Sequence, residues 1–138
     1  MTETDVPTRL ALVVGRLNRR LRAASGGLSH GLISALATVN SHGPLRLADL
    51  AAIEQVSAPS TTRLVAELEN QGLVGRQPDP LDGRAILISI TAHGKETVLQ
   101  ARSARATMVE ELFSQLDPSD VKAIADALPA LERAIGRG

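Results

Sequence analysis

"GPLRLADLAAIEQVSAPSTTRLVAELENQGLVGRQPDPLDGRAILISIT", residues 43–91, decides the fold of this chain. Leu45 to about Ile53 reads as a short helix that buries Leu47, Leu50 and Ala51. "EQV" at 54–56 leaves room only for a tight connection, after which Ser57 caps a second helix and Pro59 is tolerated in its first turn. On that helix Thr61, Leu64, Val65 and Leu68 point inward, while Pro59, Thr62, Arg63, Ala66 and Asn70 face away. Gly72 ends it. Leu73–Arg76 and Ala85–Ile90 then form a hairpin, with Ile86, Ile88 and Ile90 alternating on one face. Its turn-rich loop carries Pro78, Asp79, Pro80, Asp82 and Gly83, stiffened by the prolines, with Arg76 and Arg84 on either side. Two helices joined tightly, the second opening on small polar residues, match a helix-turn-helix. The hairpin directly behind matches a wing.

Outward from this segment the chain is helical. Val6 to Ala24 carries Leu10, Val14, Leu17 and Leu21 on one stripe, and "SGG" at 25–27 stops it. Ser29 caps a helix to about Ser41 with Leu32, Ile33, Leu36 and Val39 as its buried side, closed by "HGP" at 42–44. Behind the hairpin, Thr91 caps a long helix to about Leu116 with Val98, Leu99, Ala106, Val109, Leu112 and Phe113 among its apolar positions. Asp117 as cap and Pro118 at the first position restart the chain. The last helix presents Val121, Ile124, Leu128, Leu131 and Ile135 for burial, and Pro129 is expected to kink or shorten it. The expected fold is mainly α with a small β-hairpin wing, in the order α-α-α-α-β-β-α-α. A short extra strand before the recognition unit is compatible with the pattern.

Composition removes several function classes. The 138 residues suit one domain with a real core, 43% of them hydrophobic and only Phe113 aromatic. There is no cysteine, which excludes disulfides, thiolate zinc sites, cysteine nucleophiles and thiol redox sensing. His30, His42 and His93 lack metal-ligand spacing, and neither a serine–histidine–carboxylate order nor a glycine-rich phosphate loop is present. An enzyme is therefore not expected, nor is any cofactor or metal. No apolar run approaches the roughly 20 residues of a membrane span, and the N-terminus has no signal-peptide pattern. A soluble cytoplasmic protein without membrane contact is the expectation.

The run Gly43–Thr91, above all "TRLVAELENQGLVGR" (62–76) with the spaced set Asp82, Arg84, Ile90 and Thr91, resembles the multiple antibiotic resistance regulator (MarR) family of bacterial winged-helix transcription factors. The flanking helices agree in number and order, so the resemblance covers nearly the whole chain. It implies a single domain over residues 1–138, with dimerisation helices at 6–28 and 92–138 and a DNA-binding lobe at 29–91. It also implies a homodimeric, sequence-specific regulator of transcription, a repressor on a pseudo-palindromic operator of double-stranded DNA.

By that resemblance Arg84 is the wing-tip arginine, and a narrow, electronegative minor groove rewards an arginine pushed into it. Asp82 is expected to orient Arg84 or Arg76 by a charge-assisted hydrogen bond. Gly83 stands where many relatives carry a second basic residue, which weakens the expected grip. Ser57, Ser60, Thr62 and Arg63 fall where the family's recognition helix meets the major groove, Arg63 being the strongest candidate for base contact. Ser57 also serves as a cap. Arg46 is a candidate phosphate contact.

Arg9, Arg16 and Arg20 align on the first helix, open to three readings: phosphate contacts, inter-subunit ion pairs or a solvated face. In the family, small apolar or aromatic-acid effectors often bind where the dimerisation helices meet the lobe, so the resemblance leaves room for a small-molecule effector without requiring one. Leu17, Leu21, Leu32 and Leu36 are the candidates to line such a cleft here, against simple core packing. One feature opposes DNA binding: Leu45–Thr91 holds four arginines against six acids. The rival reading is a winged helix used only for protein interaction.

Overall fold

The computed structural model describes residues 5–136; positions 1–4 and 137–138 of the expected domain lie outside them. Six helices and one hairpin follow in the expected order. They are α1 (Val6–Ala24), α2 (His30–His42), α3 (Leu47–Glu54), α4 (Ala58–Asn70), β1 (Val74–Asp79), β2 (Asp82–Ile90), α5 (Ala92–Phe113) and α6 (Pro118–Ile135).

Local chemistry sets most boundaries. The Ser29 hydroxyl accepts from the Leu32 N–H at 3.2 Å, that of Ser57 from Ser60 at 3.3 Å, and that of Thr91 from Gly94 at 2.9 Å, each satisfying an orphan donor of a first turn. Asp117 stands at the start of α6 without a side-chain cap bond. Gln55 turns the chain between α3 and α4 in the left-handed region, φ 55° and ψ 45°. That conformation strains a residue with a Cβ.

Several expectations need correction. α3 begins at Leu47 rather than Leu45, because Leu45 exchanges backbone hydrogen bonds with Ile88 (3.0 and 2.7 Å). The extra strand before the recognition unit is this single bridge. The wing strands are longer than the alternation indicated, with β1 reaching Asp79 and β2 starting at Asp82, Val74 opposite Ile90 and Pro78 opposite Ile86. Proline offers the ladder no N–H, and the register shifts between Pro78 and Asp79. α5 stops at Phe113, and α6 runs through Pro129 to Ile135 instead of being shortened. Proline removes one helical hydrogen bond there, and the alanines and leucines around it propagate the helix past the gap.

The core is shared by α2 to α5 and the wing base: Leu36, Val39, Leu45, Leu50, Val65, Leu68, Leu73, Val74, Ile88 and Val98. α1 and α6 bury no residue at all. Leu17, Leu21 and Val121 of their apolar stripes are half-buried, while other stripe positions remain open in the single chain, Val14 at 53% and Leu128 at 45% exposure. On the wing, Ile86 is exposed although Ile88, on the same alternating face, is fully buried.

Candidate nucleic-acid interface

The first turns of α4 build one polar cluster. Ser57 donates to the Ser60 hydroxyl at 3.0 Å, and Arg63 Nη2 donates to the same oxygen at 3.2 Å. Ser57, Thr62 and Arg63 are exposed, and Thr62 donates back to the Ala58 carbonyl at 3.0 Å. The inward side of the same helix is anchored by Thr61, Val65 and Leu68, all buried. Buried Thr61 stays satisfied by donating to the Ser57 carbonyl at 2.9 Å. Burial of one face thus holds Ser60, Thr62 and Arg63 on a rigid helix, with no acid between Ser57 and Leu64.

The wing tip is a second cluster, organised by Asp79, whose place in a turn-rich loop gives no sign of this role. Asp79 is 9% exposed. One of its oxygens accepts from the Leu81 N–H at 2.9 Å, and the other from Arg46 Nη2 at 2.9 Å. The Leu81 N–H first, and then Arg46, hold its carboxyl below the usual carboxylate range. Arg46 also approaches Asp82 Oδ2 at 4.0 Å. It therefore reaches from the start of α3 to the wing tip, and only part of its guanidinium is left to meet a phosphate.

Asp82 differs from expectation too. Its Oδ1 accepts the backbone N–H of Arg84 at 3.0 Å, so it shapes the turn and leaves the guanidinium alone. Among the described residues the Arg84 side chain has no hydrogen bond or ion pair, and it is exposed. Arg76 does not join this cluster: its Nε donates to both oxygens of Glu69 at 3.1 Å.

The acids of the lobe are largely spoken for. Glu69 holds Arg76, Asp79 holds Arg46, Glu67 accepts from Gln71 at 2.8 Å, and Glu54 accepts from Thr38 at 3.1 Å. The unfavourable charge count of the segment therefore hides two cations, Arg63 and Arg84, without an acid partner among the described residues. Thr91 ties the lobe to α5: besides capping, it donates to the Gly72 carbonyl at 2.7 Å, joining the end of α4 to the start of α5.

An open cleft of about 360 Å³ lies between the end of α1, the α4–β1 junction and α5. Leu28, Leu73, His93, Thr97 and Gln100 are on its walls. Of the four leucines expected there, none lines it. Leu36 is fully buried in the core with Leu32 packed against it, and Leu21 lines a separate shallow depression beside Ile33 and Arg105. Leu17 is half-buried on α1. Among the described residues no group of His, Asp and Glu side chains could hold a metal ion, and no helix is long and apolar enough to cross a membrane.

Comparison with known proteins agrees with this geometry. The MarR family model matches residues 28–86. An uncharacterised helix-turn-helix-type transcriptional regulator of Mycobacterium bovis is 39% identical over 135 residues, 94% of each chain. One from Mycobacterium leprae is 41% identical, covering 82% of this chain and 81% of its own. Among solved structures, RV1404 from Mycobacterium tuberculosis superposes with a TM-score of 0.79 at 26% identity, over 100% of this chain and 97% of that one. Apo MarR from E. coli shares the fold, with a TM-score of 0.76 at 19% identity over 91% and 96%. The chain belongs to the MarR family of winged helix-turn-helix transcriptional regulators.

Proposed function

We propose that this regulator is a homodimeric repressor that binds a pseudo-palindromic DNA operator. The observation that carries the reading is the pair of arginines without acid partners, Arg63 on the exposed start of α4 and Arg84 at the wing tip. Arg63, Ser60, Thr62 and Ser57 face the major groove, where arginine recognises guanine bidentately and hydroxyls reach phosphates or base edges. Arg84 enters the flanking minor groove. Arg46 sets the wing against α3 and offers its remaining N–H groups to phosphate. Arg76 and Asp82 support the wing from behind.

Residues 29–91 form the DNA-binding lobe, and 6–28 with 92–138 form the dimerisation region. The support is the lack of any buried residue on α1 and α6, whose apolar stripes include Leu10, Val14, Ile124, Leu128 and Leu131. A helix that leaves such a stripe open along its length calls for a partner surface. A two-fold pair places two recognition helices on half-sites roughly 34–36 Å apart, one turn of DNA. The cleft beside Leu28, Leu73 and His93 is the site for a small effector, since a ligand there changes how α5 meets the lobe.

The test is selection of bound fragments from the source genome, followed by footprinting of the enriched DNA. Two protected half-sites one turn apart, overlapping a promoter, are expected. Uniform, unprotected DNA would instead favour a winged helix devoted to protein interaction.

A further inference from the structure

Leu81 is 95% exposed, more than any other large apolar residue described. Exposing a leucine at a hairpin turn gains nothing for folding, and the residues around it (Pro80, Asp82, Gly83) are ordinary turn formers. Its backbone is held unusually firmly. The Leu81 N–H donates to Asp79 at 2.9 Å, Asp79 is almost buried, and Arg46 grips the opposite oxygen of the same carboxylate at 2.9 Å. Pro80 fixes the preceding backbone torsion. The result is a leucine at the far end of a stiff hairpin, three residues from the partnerless guanidinium of Arg84.

We propose that Leu81 is an apolar minor-groove contact, positioned by the Asp79–Arg46 pair, that packs against the sugar walls while Arg84 supplies the electrostatic grip. This rests on the DNA-binding reading above and deepens it. The minor groove is about 6 Å wide, and proteins that enter it commonly press leucine or proline side chains into it beside a basic residue. The two contributions differ in kind. Arginine binding releases counterions and so weakens with salt, whereas displacing water from apolar surface adds a contribution that salt barely changes.

The experiment is fluorescence anisotropy on a fragment enriched from the source genome, over a salt series, with wild type, Leu81→Ala, Leu81→Met and Arg84→Ala. Leu81→Ala is expected to lose about tenfold in affinity at every salt concentration, with the slope of log affinity against log salt unchanged. Leu81→Met should recover most of that loss, and both variants should melt with wild type because the side chain touches almost nothing in the folded chain. Arg84→Ala should weaken binding and flatten the slope. Leu81→Ala binding as wild type does, while Arg84→Ala is impaired, would overturn the leucine contact and leave the regulator reading standing. A lowered melting temperature for Leu81→Ala would also overturn it, by assigning the loss to structure. Wild type that binds no fragment in a salt-dependent way would overturn the DNA-binding reading, and the leucine contact with it.

Discussion

Gly94 sits in the first turn of α5, buried against the junction of recognition helix and wing. A Cβ there would run into the Leu73 carbonyl oxygen and lie 2.7 Å from Ile90 Cγ1. The isoleucine can rotate, but the carbonyl cannot move cheaply: it accepts the Thr91 N–H at 3.1 Å, and Leu73 donates to Leu68 at 2.9 Å. Alanine in a helix is favoured over glycine by about 1 kcal/mol. Overpacking costs about 1–3 kcal/mol, and a clash with fixed backbone belongs at the upper end. The balance for Gly94→Ala is a net loss of roughly 2 kcal/mol, near 8 °C in melting temperature for a domain of this size. Gly31→Ala is the matched control, also in a first turn, where a Cβ meets Leu64 Cδ2 at 3.6 Å and Ser29 Oγ at 4.0 Å, both ordinary contacts. It should melt at or slightly above wild type. Both variants would be melted by circular dichroism at one protein concentration, since association shifts the midpoint. Gly94→Ala melting as high as Gly31→Ala would refute the close packing of α5 on Leu73.

Three other predictions follow from the geometry. Arg63→Ala should cost about 1–3 kcal/mol of operator affinity and relax sequence preference at one base pair per half-site, read by binding to an operator library; uniform weakening on all sequences would make Arg63 a phosphate contact. Asp79 should titrate below the ordinary aspartate value of about 3.9 in carboxyl-carbon NMR. Its contribution to wing order is then complete above that value and fades as pH falls through the lower, folded one. Arg46→Ala should raise the titration only part of the way, because the Leu81 N–H is the larger cause; an unperturbed midpoint in wild type would refute the clamp. Leu128→Asp, placing a charge on the open face of α6, should halve the solution mass by sedimentation, and an unchanged mass would remove α6 from the dimer interface.

What sequence made legible was mostly local, though Asp117 forms no side-chain cap and Pro129 does not shorten α6. Ser29, Ser57 and Thr91 cap the helices they precede, because a cap depends on residues three positions away. The inward face of α4 followed from 3.6-residue spacing, with Thr61, Val65 and Leu68 all buried. What escaped was long-range. Arg46 and Asp79 are 33 positions apart, and nothing near either one announces the pair. Leu45 looked like the start of a helix because its bridge to Ile88 is a tertiary event. Leu36 lies on an apolar stripe, but the stripe alone does not say whether a cleft or a neighbouring helix covers it. The stripes on α1 and α6 were legible as apolar faces, yet among the described residues Leu10, Val14, Ile124 and Leu128 have nothing that covers them.

Whether Arg84 and the start of α4 bind DNA is decided by anisotropy on the footprinted operator and on a shuffled duplex, over a salt series, with wild type and Arg84→Ala. Wild type should prefer the operator and lose affinity steeply as salt rises. Arg84→Ala should bind more weakly, with a slope shallower by about one for each wing engaged. Equal, feeble binding of both proteins to both duplexes would contradict DNA binding at this site.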